Sequence, residues 1–125
     1  MSPWLLVAAL AGGVGAGLRY LVDRLLTPRS GVRFPLGILV VNVSGSFALG
    51  VITGLGAAVA PELSFALGVG LLGGYTTFST VSVETVLLAQ RRRWRDVALN
   101  LFGTLAFAAA AAGLGILLGA VLATP

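Results

Sequence analysis

The sequence predicts an all-α integral membrane protein with four transmembrane helices, the third of them broken at mid-membrane. Three observations carry that prediction. Of 125 residues, 58% are hydrophobic and only 10% are charged, with a mean hydropathy of +1.03. Four windows are free of charge: Met1 to Leu18, Phe34 to Pro61, Leu63 to Val83 and Val97 to Pro125. Each is near or above the roughly 20 residues that a helix needs to cross a hydrocarbon core of about 30 Å, and a soluble domain this small could not cover so much apolar surface. The third window also holds Gly73-Gly74-Tyr75-Thr76-Thr77-Phe78-Ser79-Thr80, where glycines and five hydroxyls interrupt an apolar run. At membrane depth, such groups are tolerated only where they face protein, an ion or a wet cavity.

The whole chain reads as one four-span domain. Helix 1 is expected from about Pro3 to Leu26, without a cleaved leader, because Met1-Ser2-Pro3-Trp4 lacks a basic n-region and the apolar run is long enough to span. Arg19 and Asp23 stand four apart at its end and are expected to pair. Thr27-Pro28-Arg29-Ser30-Gly31 has turn composition. Helix 2 is expected from Phe34 to Val59, with Pro35 in the first turn, where its missing N–H is not needed. Ala60-Pro61-Glu62 connects to segment 3, Leu63 to Gln90, and an arginine loop leads to helix 4, Arg95 to Leu122. Ala9, Gly13 and Gly17, with Gly12 and Ala16 beside them, form a small-xxx-small stripe suited to helix packing. No strand precedes these glycines, so a dinucleotide loop is excluded by context.

The basic excess is entirely arginine, half of it in Arg91, Arg92, Arg93 and Arg95. Between two spans such a run holds a loop against anionic headgroups and sets orientation, and does not indicate nucleic-acid binding. Arg24, Arg29 and Arg33 lie on the same side as that cluster, which places both termini outside and both basic loops in the cytoplasm.

The chain has no His, Cys or Lys, and only Asp23, Glu62, Glu84 and Asp96 as carboxylates. No triad, dyad or clustered metal ligand set can be assembled, so the chain is not expected to be an enzyme. No carboxylate sits in the middle of any span, which argues against a proton-coupled exporter of cations. In helix 2, Asn42, Ser46, Gly50 and Thr53 share one stripe, and in helix 4 Asn100, Thr104, Phe107 and Ala111 share another. Each amide could bridge helices; Asn42 could equally offer N–H donors to an anion. In segment 3, unwinding around Gly73 to Thr77 would free carbonyls for a small cation. The edge of Phe78, with Ser79 and Thr80, suits a small hard anion.

These residues resemble the CrcB/Fluc fluoride channel family over nearly the whole chain. The likeness is carried by Gly12-Gly13-Val14-Gly15-Ala16-Gly17-Leu18-Arg19-Tyr20, by Pro35-Leu36-Gly37 leading to Val41-Asn42-Val43-Ser44-Gly45-Ser46-Phe47, and by residues 73–80 leading to Glu84. The resemblance implies a multi-pass protein of the cell membrane in which two subunits pair antiparallel with dual topology. It implies two fluoride paths along the dimer interface and passive leak of toxic cytoplasmic fluoride outward. A structural sodium ion would be held by the carbonyls of Gly73 and Thr76. Asn42, Phe78, Ser79, Thr80 and Thr104 would line the fluoride path, and Arg19 and Glu84 would serve its vestibule or the local structure. Two positions depart from the pattern: Val81 replaces a second phenylalanine, and Asn100 stands where a tyrosine is common. The one-sided arginine bias favours a heterodimer with a related, inverted subunit over a homodimer. Two other classes remain in view: a small multidrug-type exporter, which needs a glutamate in helix 1 that positions 4 to 18 lack, and a non-transporting scaffold whose glycines only pack.

Overall fold

The computed structural model describes residues 2–27 and 34–124, and all regular structure there is helical. From Pro28 on, the expected turn after helix 1 lies outside the described residues, as do Arg29 and Arg33. Helix α1 (Pro3–Leu26) starts on Ser2, whose hydroxyl accepts from Trp4 N at 3.2 Å, with Pro3 in the first turn. These are the residue types that satisfy or omit the first orphan donors. Helix α2 (Leu36–Leu55) takes Pro35 as its N-cap, one position earlier than the first turn expected for it. It continues into a 3₁₀ turn (Gly56–Ala58) that Gly56 opens at φ +54°.

The third apolar stretch has two parts. Segment α3 covers residues 61–75 as an α-turn (Pro61–Ser64), a π-helical run (Phe65–Leu72) and a last α-turn (Gly73–Tyr75). Helix α4 (Ser79–Gln90) follows after three non-helical residues. Helix α5 (Trp94–Ala123) has a π-turn near its start (Leu99–Gly103). The four stretches Pro3–Leu26, Leu36–Ala58, Pro61–Gln90 and Trp94–Ala123 are long and apolar enough to cross a membrane. Large apolar side chains such as Leu10, Val69, Leu105 and Val121 stand exposed on their outer faces, as lipid contact requires.

Two glycine interfaces hold the bundle. Between α2 and α5 the contacts are reciprocal: a Cβ at Gly50 would strike the Ala112 carbonyl and one at Gly54 the Ile116 carbonyl. Conversely, a Cβ at Gly115 would strike the Phe47 carbonyl and one at Gly119 the Val51 carbonyl. The four-residue spacing on both helices lets the backbones touch where lipid supplies no hydrophobic drive.

Between α1 and α3 the register differs from the one expected. Gly13 and Gly17 have nothing within 4 Å, whereas Gly15 meets the Leu71 carbonyl and Tyr75 N, and Gly70 and Gly74 meet the backbone of Ala8 and Gly12. The packed face is Ala8, Gly12 and Gly15; a four-residue spacing defines a stripe but not which stripe meets a neighbour. Gly73 has only the Gly68 carbonyl at 3.7 Å, an ordinary contact. Gly74 is the crowded one. Gly74→Val is therefore expected to destabilise the chain by about 3 kcal/mol through overpacking. Gly73→Val should leave it intact unless a surface outside this chain covers Gly73, and thermal unfolding of both variants in detergent checks the contrast.

The Arg19–Asp23 pair is not formed. Asp23 Oδ1 instead accepts from Thr27 Oγ1 at 2.9 Å, and Thr27 Oγ1 accepts from Gly37 N at 2.9 Å. Short polar groups thus tie the end of α1 to an orphan donor at the start of α2, which outweighs a surface ion pair worth little. Arg24 lies over the Tyr20 ring, 5.6 Å from its centroid.

Candidate functional site

The helix stops at Tyr75 because its next donors are taken by side chains. Thr76 is extended, at φ −79° and ψ 154°. Thr77 N, the helical donor for the Gly73 carbonyl, donates instead to Asn42 Oδ1 at 2.9 Å. Asn42 Nδ2 returns a bond to the Thr77 carbonyl, also at 2.9 Å. Thr80 N, the helical donor for the Thr76 carbonyl, donates instead to Thr77 Oγ1 at 3.2 Å. Two carbonyls, those of Gly73 and Thr76, are thereby released from helical bonding by two side chains. Released backbone oxygens are hard, uncharged donors of the kind that suit an alkali cation.

Thr77 organises the restart. Its hydroxyl also meets Ser79 Oγ at 3.1 Å and Thr80 Oγ1 at 3.3 Å, so one buried threonine caps α4 and gathers its first hydroxyls. Gly45 makes room for the break: a Cβ there would meet the Thr76 methyl and stand 3.1 Å from the Tyr75 ring. The Tyr75 hydroxyl reaches Ser44 Oγ at 3.0 Å.

Beside the break lies a cavity of about 240 Å³, lined by Asn42, Ser46, Thr76, Thr77, Phe78, Val81 and Thr104 among others. It brings together polar groups from α2, the break and α5. Phe78 is 75% exposed, so its ring borders the cavity while standing out from the chain. Thr104 Oγ1 is buried and has no partner among the described residues. A buried hydroxyl left unpaired costs about 1–3 kcal/mol.

Asn100 is wholly buried on the π-turn and ties α5 to α4. Its Nδ2 donates to Thr85 Oγ1 at 2.9 Å and to the Val81 carbonyl at 3.3 Å. Because Thr85 Oγ1 itself donates to the Val81 carbonyl at 2.7 Å, it must accept from Asn100, which fixes the amide's orientation. Asn100 Oδ1 is left without a partner among the described residues. As an acceptor it cannot solvate an anion, so of the two orphaned atoms only the Thr104 hydroxyl can donate to one. The bridging role weighed for Asn100 is the one its bonds describe, and Asn42 also bridges, from α2 to the break.

The other candidate residues fall elsewhere. Ser79 and Thr80 touch Thr77 but do not line the cavity, and Arg19 and Glu84, both half-buried, lie outside its lining. Phe107, expected on the inner stripe of helix 4, is exposed, while Asn100, Thr104 and Ala111 are buried. Val81 is buried against the cavity wall. Thr77 was the residue not singled out. Its signal was present as a threonine three positions before Thr80 at the restart of an apolar run, the spacing of a side-chain cap.

The family described as CrcB-like protein, Camphor Resistance (CrcB), matches residues 6–116. The chain is 47% identical over 128 aligned residues to the fluoride-specific ion channel FluC 1 of Leifsonia xyli subsp. xyli, covering 100% of this chain and 93% of that protein. It is 51% identical over 98 residues to the fluoride-specific ion channel FluC of Shewanella sp. strain ANA-3, covering 77% of this chain and 79% of the relative. A FluC of Shewanella baltica strain OS185 is 49% identical over 98 residues. With four span-length helices, these likenesses make the chain a multi-pass membrane protein.

Proposed function

The chain belongs to the CrcB/Fluc family, and on that premise we propose that it is a subunit of a fluoride channel that lets cytoplasmic fluoride leave the cell passively. The observation that carries this reading is the cavity beside the break, whose lining includes Thr104, with a hydroxyl unpartnered among the described residues, together with Asn42, Ser46 and Phe78. Each of the four carries a group that can turn partial positive charge toward an anion, an N–H, an O–H or a ring edge, and none is a strong base. Such a lining solvates a small anion and does no bond chemistry.

The carbonyls of Gly73 and Thr76, relieved of their helical donors, fit a structural sodium ion, which when bound would supply a fixed positive charge beside the anion path. The non-helical residues 76–78 within the stretch Pro61–Gln90 support reading the break as the expected mid-membrane interruption. The break also calls for a partner subunit. Phe78 and Ser79 are exposed and Gly73 is open, and a polar break cannot face lipid. An antiparallel second subunit would cover this face and complete the path. The arginine bias favours a related, inverted chain as that subunit, with a homodimer as the alternative. Expression of this chain alone separates them: robust fluoride conductance without a second chain would exclude the obligate heterodimer.

Fluoride efflux from proteoliposomes tests the function, with chloride as the control ion; absence of efflux with every related partner chain would leave the scaffold class. Within it, Phe78→Ile is expected to lower fluoride efflux about tenfold while leaving the unfolding temperature of the unassembled subunit unchanged, since so exposed a ring contributes little to packing within the chain. Wild-type efflux in that variant would remove the ring from the path.

A further inference from the structure

The segment joining α4 to α5 carries Arg91, Arg92, Arg93 and Arg95 against one carboxylate, Asp96. Arg93 holds that carboxylate, its Nε donating to Asp96 Oδ2 at 2.7 Å with a terminal nitrogen at 2.6 Å. Asp96 is thereby neutralised, and Arg91, Arg92 and Arg95 have no carboxylate partner among the described residues. Arg92, Arg93, Trp94, Arg95, Asp96 and Leu99 line one open cleft of about 610 Å³. Its two ends differ: the arginines are cationic, whereas Trp94 and Leu99 expose 63% and 49% of their surface as apolar wall.

Backbone geometry singles out Arg92. Arg93 N donates to the Leu88 carbonyl and Arg92 N to the Ala89 carbonyl, both at 3.0 Å, which closes α4 with the paired bonds of a left-handed cap. Arg92 occupies the left-handed position of that cap, at φ 57°. Glycine fits there without strain and arginine does not. A charged side chain held where glycine would be easier points to a use for the charge.

We propose that this cleft binds the headgroup phosphate of an anionic phospholipid, with Arg92 and Arg95 on the phosphate and Trp94 and Leu99 against the glycerol and upper acyl chain. A soluble phosphate would gain nothing from an exposed indole and leucine. A lipid presents charge and hydrocarbon in this order at the mouth of two spans, where tryptophan is at home. The site rests on the chain being a multi-pass membrane protein and is independent of what the channel carries.

Native mass spectrometry of the full-length purified protein, titrated with phosphatidylglycerol against phosphatidylcholine, tests it. The wild type should retain phosphatidylglycerol in preference. Each arginine near an anionic surface contributes roughly fivefold, so R92Q/R95Q should weaken that preference about thirtyfold. R92G should lose about fivefold while unfolding at a higher temperature in phosphatidylcholine alone, because strain is relieved as the charge is removed. Glycerol phosphate should fail to displace the lipid. Wild-type preference in R92Q/R95Q, or displacement by glycerol phosphate, would overturn the proposal.

Discussion

Asn42→Ala is expected to lower fluoride efflux at least tenfold and, with it, to abolish any dependence of thermal stability on sodium. Two losses coincide at this residue. Its spare N–H is one of the few donors in the cavity, and a group contributing about 1.4 kcal/mol to an ion in the path is worth tenfold in occupancy. Its Oδ1 also takes Thr77 N away from the Gly73 carbonyl. With that acceptor gone, Thr77 N has a ready alternative in the carbonyl it would serve in a continuous helix. Two buried hydrogen bonds in water-soluble proteins would be worth about 2 kcal/mol, but inter-helix bonds in membranes average about 0.6 kcal/mol each. Re-formation of the helical bond offsets part of even that, so the loss of stability should be about 1 kcal/mol and the subunit should still assemble.

Asn42→Asp separates the two roles. A neutral carboxylic acid keeps both bonds, its carbonyl accepting from Thr77 N and its O–H donating to the Thr77 carbonyl, so the break and the sodium dependence should survive, while loss of the amide's spare N–H should lower fluoride efflux. Efflux from proteoliposomes, paired with unfolding temperatures in sodium and in potassium, reads both. Unchanged efflux in Asn42→Ala would remove the amide from the path. Lost efflux with an intact sodium response would leave it there but free the cation carbonyls from its control.

What the sequence made legible depended on the range of the interactions involved. Four spans could be seen because a bilayer imposes a length on every apolar run, and that constraint is local. Residues 73–80 stood out for the same reason: hydroxyls and glycines at that depth violate it. The bonds that stop the helix at Tyr75 were less visible. Asn42 and Thr77 are 35 residues apart, and nothing in either neighbourhood states that they meet. The π-turns at Phe65–Leu72 and Leu99–Gly103 were not foreseen, since their residues have no composition that separates them from ordinary helix. Phase was the other casualty. Helix 1 has small residues on several overlapping four-residue stripes, and only the neighbour decides between Gly13 and Gly15. Phe107 marks the edge of such a stripe: Thr104 and Ala111, seven apart, are buried, while Phe107, about 60° round the helix from Thr104, is exposed.

Gly115→Val is expected to be severely damaging, and Gly113→Val, two residues away, close to neutral within the chain. A Cβ at Gly115 would overlap the Phe47 carbonyl and stand 2.9 Å from Val51 N and 3.2 Å from the Gly50 carbonyl carbon. All three are backbone atoms, so no rotamer change can make room and the two helices must part. A separation there also opens Gly50 from Ala112, Gly54 from Ile116 and Gly119 from Val51, because the contacts are rigidly coupled along both helices. Overpacking typically costs about 1–3 kcal/mol where side chains can adjust; with backbone on both sides the penalty should exceed about 3 kcal/mol. Function should fail with stability, since Asn42 and Ser46 stand on α2 and Thr104 on α5, and parting the helices widens the cavity they share. Gly113 has nothing within 4 Å and serves as the control for valine in this helix. Size-exclusion profiles and unfolding temperatures of both variants decide it: if Gly115→Val behaves like Gly113→Val, backbone contact is not what binds α2 to α5.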